Sequence, residues 1–133
     1  MGTNEKRKTM LQKNREMVYA KYDGHCAYCG CKLELEETEV SYIKACRMYS
    51  HDCRDQVLFR LNDFDNLMPS CKMCNFYKGD RDVEYLRNYL QGKTVERMQR
   101  PSEYKLALKY GLIEEHIHPI RFFYETEENI YFS

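Results

Sequence analysis

The sequence predicts one α+β domain that is organised around a cluster of cysteines. Apolar residues recur at helical spacing over residues 5–21 and again after residue 80. Residues 38–44 are rich in side chains that favour strands. Four of the seven cysteines form two C-x-x-C pairs, which is a spacing typical of metal ligands. With 133 residues, the chain has the size of a single domain, and we expect one compact core over 1–133.

The first helix and the segment after it follow from local patterns. The helix predicted over 5–21 carries an apolar stripe and is expected to end at Gly24. Residues 32–36 and 38–44 are predicted to pair as the two strands of a hairpin. Residues 45–65 combine mixed charge with no clear period, so no element is predicted there.

The C-terminal part is predicted to be helical, with a β-ribbon at its end. Asp80 is a plausible N-cap for a helix that Gly92 ends, and a short helix capped by Thr94 follows. Pro101 and Ser102 open a further helix that closes at Gly111. The apolar segments 120–124 and 129–132 alternate with turn residues, which is the pattern of a terminal ribbon; these four elements form a predicted extension over 81–133.

The two C-x-x-C pairs predict a structural zinc site. Each pair places two sulfur atoms on one tight turn, and two such turns supply the four tetrahedral ligands that zinc prefers. The predicted ligands are Cys26, Cys29, Cys71 and Cys74. Four thiolates leave no open position for water, so the ion is expected to be structural and not catalytic. The alternatives are buried free thiols or a redox pair.

The remaining cysteines and the charge balance limit the other possibilities. The odd number of cysteines argues against a disulfide framework. Cys31 lies close enough to Cys29 to compete as a ligand, and the alternative for Cys31, Cys46 and Cys53 is that they are small buried side chains. The chain has 21 basic and 21 acidic residues, whereas a nucleic-acid-binding protein usually has a basic excess. No apolar run approaches the roughly 20 residues of a membrane span, and no secretory signal is expected.

The sequence around the cysteine pairs resembles that of the HNH endonucleases that contain a zinc knuckle. Residues 22–30 read YDGHCAYCG and residues 66–80 read NLMPSCKMCNFYKGD, which are similar to the opening and closing halves of that motif. The resemblance covers residues 22–80 and implies a ββα-metal core of two strands and a helix. It also implies that Asn66 is the asparagine that fixes the loop and that Asn75 is the helix ligand of a Mg²⁺ or Mn²⁺ ion at the scissile phosphate.

The catalytic pair of the resembled family is missing. That family has an Asp-His pair at the end of the first strand, where the histidine acts as general base, but this chain has Ser41 and Tyr42. A tyrosine with a pKa near 10 is a poor base at neutral pH, and a neutral hydroxyl is a weak ligand for a hard cation. His51 and Asp52 are the candidates for a displaced pair, and the alternative is that they belong to a solvated loop.

These observations leave three functional hypotheses. The first is a degenerate HNH-like protein without nuclease activity that binds a protein partner, for example a phage or mobile-element inhibitor of a host defence nuclease, of the anti-CRISPR type. The second is an active metal-dependent HNH endonuclease that uses Asn75, His51 and Asp52. The third is a non-cleaving nucleic-acid-binding module that uses a set of basic residues, namely Lys6, Arg7, Lys8, Arg81 and Arg87. A cytoplasmic location, in a bacterium or in a phage-infected host cell, is expected for all three.

Overall fold

The computed structural model describes residues 10–44 and 64–126, which form a mixed arrangement of helices around a two-stranded sheet. The first helix, α1, spans Met10–Ala20. The chain then passes through a 3₁₀ turn at Leu35–Glu37 and enters strand β1 at Glu39–Tyr42. After a second 3₁₀ turn at Phe64–Asn66, strand β2 covers Leu67–Ser70. The described part of the chain therefore confirms the α+β class.

Helices account for most of the remaining described chain. Helix α2 spans Lys72–Lys78 and helix α3 spans Val83–Tyr89. A π-helical stretch at Leu90–Thr94 leads without a break into α4 at Val95–Gln99, and α5 covers Ser102–Lys109. No helix within 10–44 and 64–126 is both long enough and apolar enough to cross a membrane.

The sheet differs from the predicted hairpin. Strand β1 pairs with β2 in antiparallel register, with Glu39 opposite Ser70 and Tyr42 opposite Leu67. Residues 32–36 are not a strand, and within the described residues their only β-pairing is an isolated bridge between Lys32 and His25. The prediction of a local hairpin was wrong because the better partner for β1 is β2, all four residues of which are buried. Helix α2 follows β2 directly and packs against β1, so the order is strand, strand, helix.

Three predictions of helix boundaries, at Asp80, Gly92 and Thr94, were also wrong. The N-cap of α3 is Asp82 and not Asp80, because the Asp82 carboxylate accepts a hydrogen bond from the backbone N–H of Tyr85 at 3.0 Å. Gly92 does not end this helix, since the chain continues through the π-helical stretch into α4, and Thr94 does not form a side-chain cap. The α5 prediction is confirmed, with Pro101 at its N-cap and Gly111 beyond its end at φ 69°.

The C-terminal segment contributes to the core but not as a ribbon. Phe122 and Tyr124 are buried, and the backbone N–H groups of Phe123 and Tyr124 donate to the carbonyls of Tyr28 and Ala27 at 3.0 and 2.9 Å. Residues 123–126 then form a helical turn. The first half of the predicted ribbon was therefore wrong, because its apolar side chains fill the core instead of facing a second strand. Residues 129–132 lie outside the described residues.

The core lies between the first cysteine turn, the sheet, α3 and this C-terminal segment. The buried core residues come from all four regions. Among them, the Tyr28 ring packs edge to face on the Phe122 ring, with the ring centroids 5.4 Å apart. The buried side chains of this cluster are Cys26, Ala27, Tyr28, Leu33, Met68, Val83, Leu86, Phe122 and Tyr124. The core thus surrounds the first cysteine turn and holds it next to β2.

Candidate metal centre

The first cysteine pair lies on a tight turn whose backbone is closed on itself. The N–H of Cys26 donates to the carbonyl of Cys31 at 2.8 Å, and the N–H of Gly30 donates back to the carbonyl of Cys26 at 3.0 Å. Gly30 has φ 81°, a left-handed conformation that glycine adopts without steric cost. The N–H of Ala27 donates to the carbonyl of Pro69 at 2.8 Å, which attaches this turn to β2. The turn therefore presents Cys26, Cys29 and Cys31 toward the end of the second strand.

The second cysteine pair lies at the start of α2. Cys71 is the N-cap residue of this helix, and its sulfur accepts a hydrogen bond from the backbone N–H of Cys74 at 3.4 Å. The N–H of Cys71 in turn donates to the sulfur of Cys26 at 3.4 Å. Backbone N–H groups stabilise negative charge on the sulfur atoms that accept from them. The backbone N–H of Cys71 therefore helps to favour a thiolate at Cys26.

The two turns bring their sulfur atoms together. The Sγ atoms of Cys29 and Cys71 are 3.9 Å apart, and those of Cys26, Cys29, Cys31 and Cys71 all lie within 4.8 Å of one another. A zinc ion with Zn–S bonds of about 2.3 Å at tetrahedral angles separates its sulfur ligands by about 3.8 Å. The spacing of this cluster is compatible with a structural metal ion, and the five thiols of the two turns are not engaged in disulfides.

Cys74 lies beside this group. Proximity to Cys26, together with burial, raises the pKa of its thiol. The same proximity to Cys74 lowers the pKa of Cys26 to about 4, against the effect of burial. The two shifts favour a thiolate at Cys26 beside a thiol at Cys74, and a metal ion would require the sulfurs that bind it to ionise.

The cluster agrees with three of the four predicted ligands and adds a residue that the predicted set left out. Cys26, Cys29 and Cys71 lie in the group of mutually close sulfurs, whereas Cys31 occupies the fourth place in it. Cys74 remains a predicted ligand next to the group. The sequence contained the signal for Cys31, since it lies two residues after Cys29, but the C-x-x-C rule gives priority to the paired cysteines.

The residues that the resemblance assigns to the HNH motif lie on the neighbouring elements. Asn66 joins the two ends of the 45–63 segment: its Oδ1 accepts from the N–H of Lys44 at 2.9 Å, and its Nδ2 donates to the carbonyl of Lys44 at 3.3 Å. Asn75 is half-buried in α2. Ser41 is buried in β1, with its hydroxyl 2.9 Å from the phenol oxygen of Tyr28. The candidate displaced pair, His51 and Asp52, lies outside the described residues, as do Cys46 and Cys53.

Comparison with protein-family models and with curated proteins finds no match for this chain.

Proposed function

We propose that this protein is a zinc-stabilised, HNH-like scaffold that binds another macromolecule, a protein in the first place, and does not cut DNA. The observation that carries the proposal is the environment of Ser41. In the resembled family this position bears a carboxylate that faces a catalytic cation. Here the Ser41 hydroxyl is buried and hydrogen-bonded to Tyr28, so the position serves the core.

The surroundings of the three histidines within the described residues support the absence of nuclease chemistry. A general base must come within hydrogen-bond reach of the attacking water. His25 Nδ1 lies 3.0 Å from the carbonyl of Gly30, and its ring packs on Phe123 at 5.4 Å, so it braces the first cysteine turn. His116 and His118 lie in the exposed segment 111–119. Tyr42, at the position of the family's base, is a phenol and not an imidazole.

The exposed face of α2 supports a protein partner. Met73, Phe76 and Tyr77 are 71, 78 and 44% exposed, and all three lie on one short helix. The rings of Phe76 and Tyr77 meet edge to face at 5.4 Å, and Tyr77 continues onto Tyr89 of α3 at 5.6 Å. Exposed apolar patches mark interaction sites, and Met and aromatic residues are enriched in protein interfaces. We call these four residues the aromatic patch.

A groove of about 580 Å³ adjoins the aromatic patch. Met73, Tyr77 and Tyr89 lie on its wall, its floor is formed by core residues such as Leu86 and Phe122, and Arg97 and Arg121 also line it. Anchor side chains of a partner bury most effectively in such a concave, mostly apolar surface. The groove and the patch together offer a continuous surface on the side of the metal centre where α2 begins.

The nucleic-acid alternative has weaker support. Of the basic residues assigned to it, Arg87 is held inside the fold by Glu84 and Glu125, and Arg81 lies over the ring of Tyr85 at 4.3 Å. The lysines and arginine at 6–8 lie outside the described residues. Aromatic side chains also stack on bases, so the salt dependence of binding is the property that separates the two classes of partner.

The test is capture of candidate partners by the zinc-loaded protein. Host defence nucleases and duplex or single-stranded DNA are offered separately, at low and at high salt, to the full chain and to Phe76→Ser. We expect a protein to be captured, with retention at high salt and loss in Phe76→Ser, because apolar contacts are not screened. Leu112→Ser is the matched control, since Leu112 is about as exposed as Phe76, at 79%, but lies outside the aromatic patch. Capture of DNA that falls steeply with salt would favour the nucleic-acid module instead.

Nicking of a plasmid with Mg²⁺ or Mn²⁺ tests the remaining alternative. We expect no nicking by the folded, zinc-loaded protein. Nicking that disappears in Asn75→Ala and His51→Ala would overturn the proposal and assign the protein to the active HNH endonucleases.

A further inference from the structure

Five thiols, one more than a tetrahedral ion needs, converge at the metal centre. Cys26, Cys29 and Cys71 belong to the group of sulfurs within 4.8 Å of one another, and Cys31 completes that group. Cys74 lies in the first turn of α2, where its backbone N–H donates to the sulfur of Cys71 at 3.4 Å. Zinc sites of this kind are almost always four-coordinate. One of the five thiols is therefore left without a metal bond whenever an ion is bound.

Two cysteines are candidates for the thiol without a metal bond, Cys31 and Cys74, and they lie on different elements. Cys31 ends the first cysteine turn, and its carbonyl holds the N–H of Cys26 at 2.8 Å, so its backbone position is fixed relative to the shared ligands. Cys74 lies in the first turn of α2, where its N–H is bound to the sulfur of Cys71 at 3.4 Å. The Cys31 sulfur thus lies among the three shared sulfurs, and the Cys74 backbone is fixed to one of them, that of Cys71. Cys31 is exposed, whereas Cys74 is half-buried next to the groove.

We propose that Cys31 and Cys74 are alternative fourth ligands of the metal ion, with Cys26, Cys29 and Cys71 common to both states. When Cys31 binds, its thiol proton passes to solvent, and the departing Cys74 thiolate takes up one proton, so the charge of the centre is unchanged. Cys74 returns by the reverse of this step. The inference rests on the metal-binding part of the proposed function and assigns to Cys31 a ligand role beyond the C-x-x-C pairs.

Single removal of either alternative ligand then has a small effect. If the two states are equally populated, losing one of them lowers metal affinity by only about twofold, because half of the competent population remains available through the other residue. Losing both residues leaves three thiolates. Metal affinity then falls by more than the roughly 10–100-fold that follows removal of an outer-shell partner. Strong non-additivity is the signature of exchange.

The test uses Co²⁺ as a spectroscopic probe in the full chain. Sulfur-to-cobalt charge-transfer bands and d–d bands distinguish four thiolate ligands from three. We expect the unsubstituted protein, Cys31→Ser and Cys74→Ser all to give four-thiolate spectra, and Cys31→Ser/Cys74→Ser to give a three-thiolate spectrum with weaker charge transfer. Competition with a chelator measures the corresponding zinc affinities.

Cys71→Ser is the discriminating control. Cys71 belongs to both states, so this variant is expected to show three thiolates although four cysteines remain in the two turns. A four-thiolate spectrum in Cys71→Ser would overturn the alternation, since Cys31 and Cys74 would then bind together. A three-thiolate spectrum in either Cys31→Ser or Cys74→Ser alone would also overturn it, because one residue would then be the sole fourth ligand. Failure of the unsubstituted protein to bind Co²⁺ or Zn²⁺ would refute the metal centre itself.

Discussion

The phenol oxygen of Tyr28 lies 2.9 Å from the hydroxyl oxygen of Ser41, and both side chains are buried. Tyr28 belongs to the first cysteine turn and Ser41 to β1, so this hydrogen bond joins the metal centre to the strand. Burial raises the pKa of Tyr28 and keeps its phenol neutral. Ser41 stands where the resembled HNH family has a catalytic carboxylate. In this protein it therefore belongs to a neutral, buried pair with Tyr28.

Replacing one partner of this pair is expected to destabilise the zinc-loaded protein. Ser41→Ala leaves the phenol of Tyr28 buried without its partner, which costs about 1–3 kcal/mol of unfolding free energy. Tyr28→Phe is the reciprocal variant, and the double variant is expected to lose less than the sum of the two single losses by about 1 kcal/mol. Denaturant unfolding of the four proteins measures the coupling. Strict additivity would mean that the hydrogen bond contributes nothing to stability.

Removal of the metal ion is expected to unfold the chain. Cys26 has no exposed surface and belongs to the same core cluster as Ala27 and Tyr28, so the first cysteine turn of the candidate metal centre is also part of the hydrophobic core. Structural zinc contributes on the order of 10–16 kcal/mol at neutral pH, which is comparable to the whole stability of a typical domain at about 5–15 kcal/mol.

Circular dichroism and thermal melting, before and after chelation, check this expectation. The cooperative melting transition should disappear with the chelator and return when zinc is restored. An unchanged melting temperature in fully metal-free protein would contradict it.

The sequence-based predictions were best where a structural feature depends on residues that are close together in the chain. The C-x-x-C spacing locates the two turns because two sulfurs on one turn are a local property, and α5 begins after Pro101 as expected. The pairing of β1 with β2 joins residues that are distant in sequence, so no local pattern contains it. Strand propensity therefore identified β1 but assigned it the wrong neighbour.

The place of Cys31 in the cluster and the burial of Phe122 have the same explanation. Cys31 joins the other sulfurs because the turn closes between its carbonyl and the N–H of Cys26, a contact that a spacing rule does not include. Phe122 and Tyr124 alternate as strand residues do, but their partner is the backbone of the cysteine turn and not a second strand. In both cases the local sequence pattern fits more than one structure, and tertiary packing determines which one forms.

Gly30 is expected to be intolerant of any side chain. A Cβ atom at this position would lie 2.9 Å from Cδ2 of Phe123, and its φ of 81° is unfavourable for other residues. Gly30→Ala should therefore destabilise the protein by about 2–4 kcal/mol, which combines the left-handed strain of about 1–2 kcal/mol with an overpacking cost. Gly111→Ala is the matched control, because Gly111 has φ 69° but no atom within 4 Å of the added Cβ. Equal losses in the two variants, measured by chemical denaturation, would show that the Phe123 contact is unimportant.

The ion pair between Arg87 and Glu125 gives the stability a specific pH dependence. Arg87 Nη2 lies 2.8 Å from the Glu125 carboxylate, whose other oxygen accepts from the N–H of Phe122 at 2.9 Å. Burial by itself raises the pKa of Glu125, but the hydrogen bonds from Arg87 and Phe122 outweigh it and hold this pKa below its ordinary value of 4.5. As the pH falls, the unfolded chain takes up this proton before the folded one does. The contribution is therefore fully present above the ordinary pKa and is lost as the pH falls through the folded-state pKa.

Glu125→Gln isolates this contribution because glutamine keeps an acceptor for Phe122 but carries no charge. At neutral pH the variant should be less stable by about 1 kcal/mol, a modest figure because the pair is partly exposed to solvent. The difference between the two proteins should shrink as the pH is lowered below 4.5, the ordinary value for this carboxyl. Because acid that releases the metal ion is also expected to unfold the chain, the comparison uses the pH range in which both proteins keep the ion. Glu84→Gln is the control, since Glu84 contacts the same arginine from a side chain that is 59% exposed, and its effect should be smaller. A difference between Glu125→Gln and the unsubstituted protein that stays constant down to acid pH would show that the Glu125 carboxylate does not stabilise the fold through its charge.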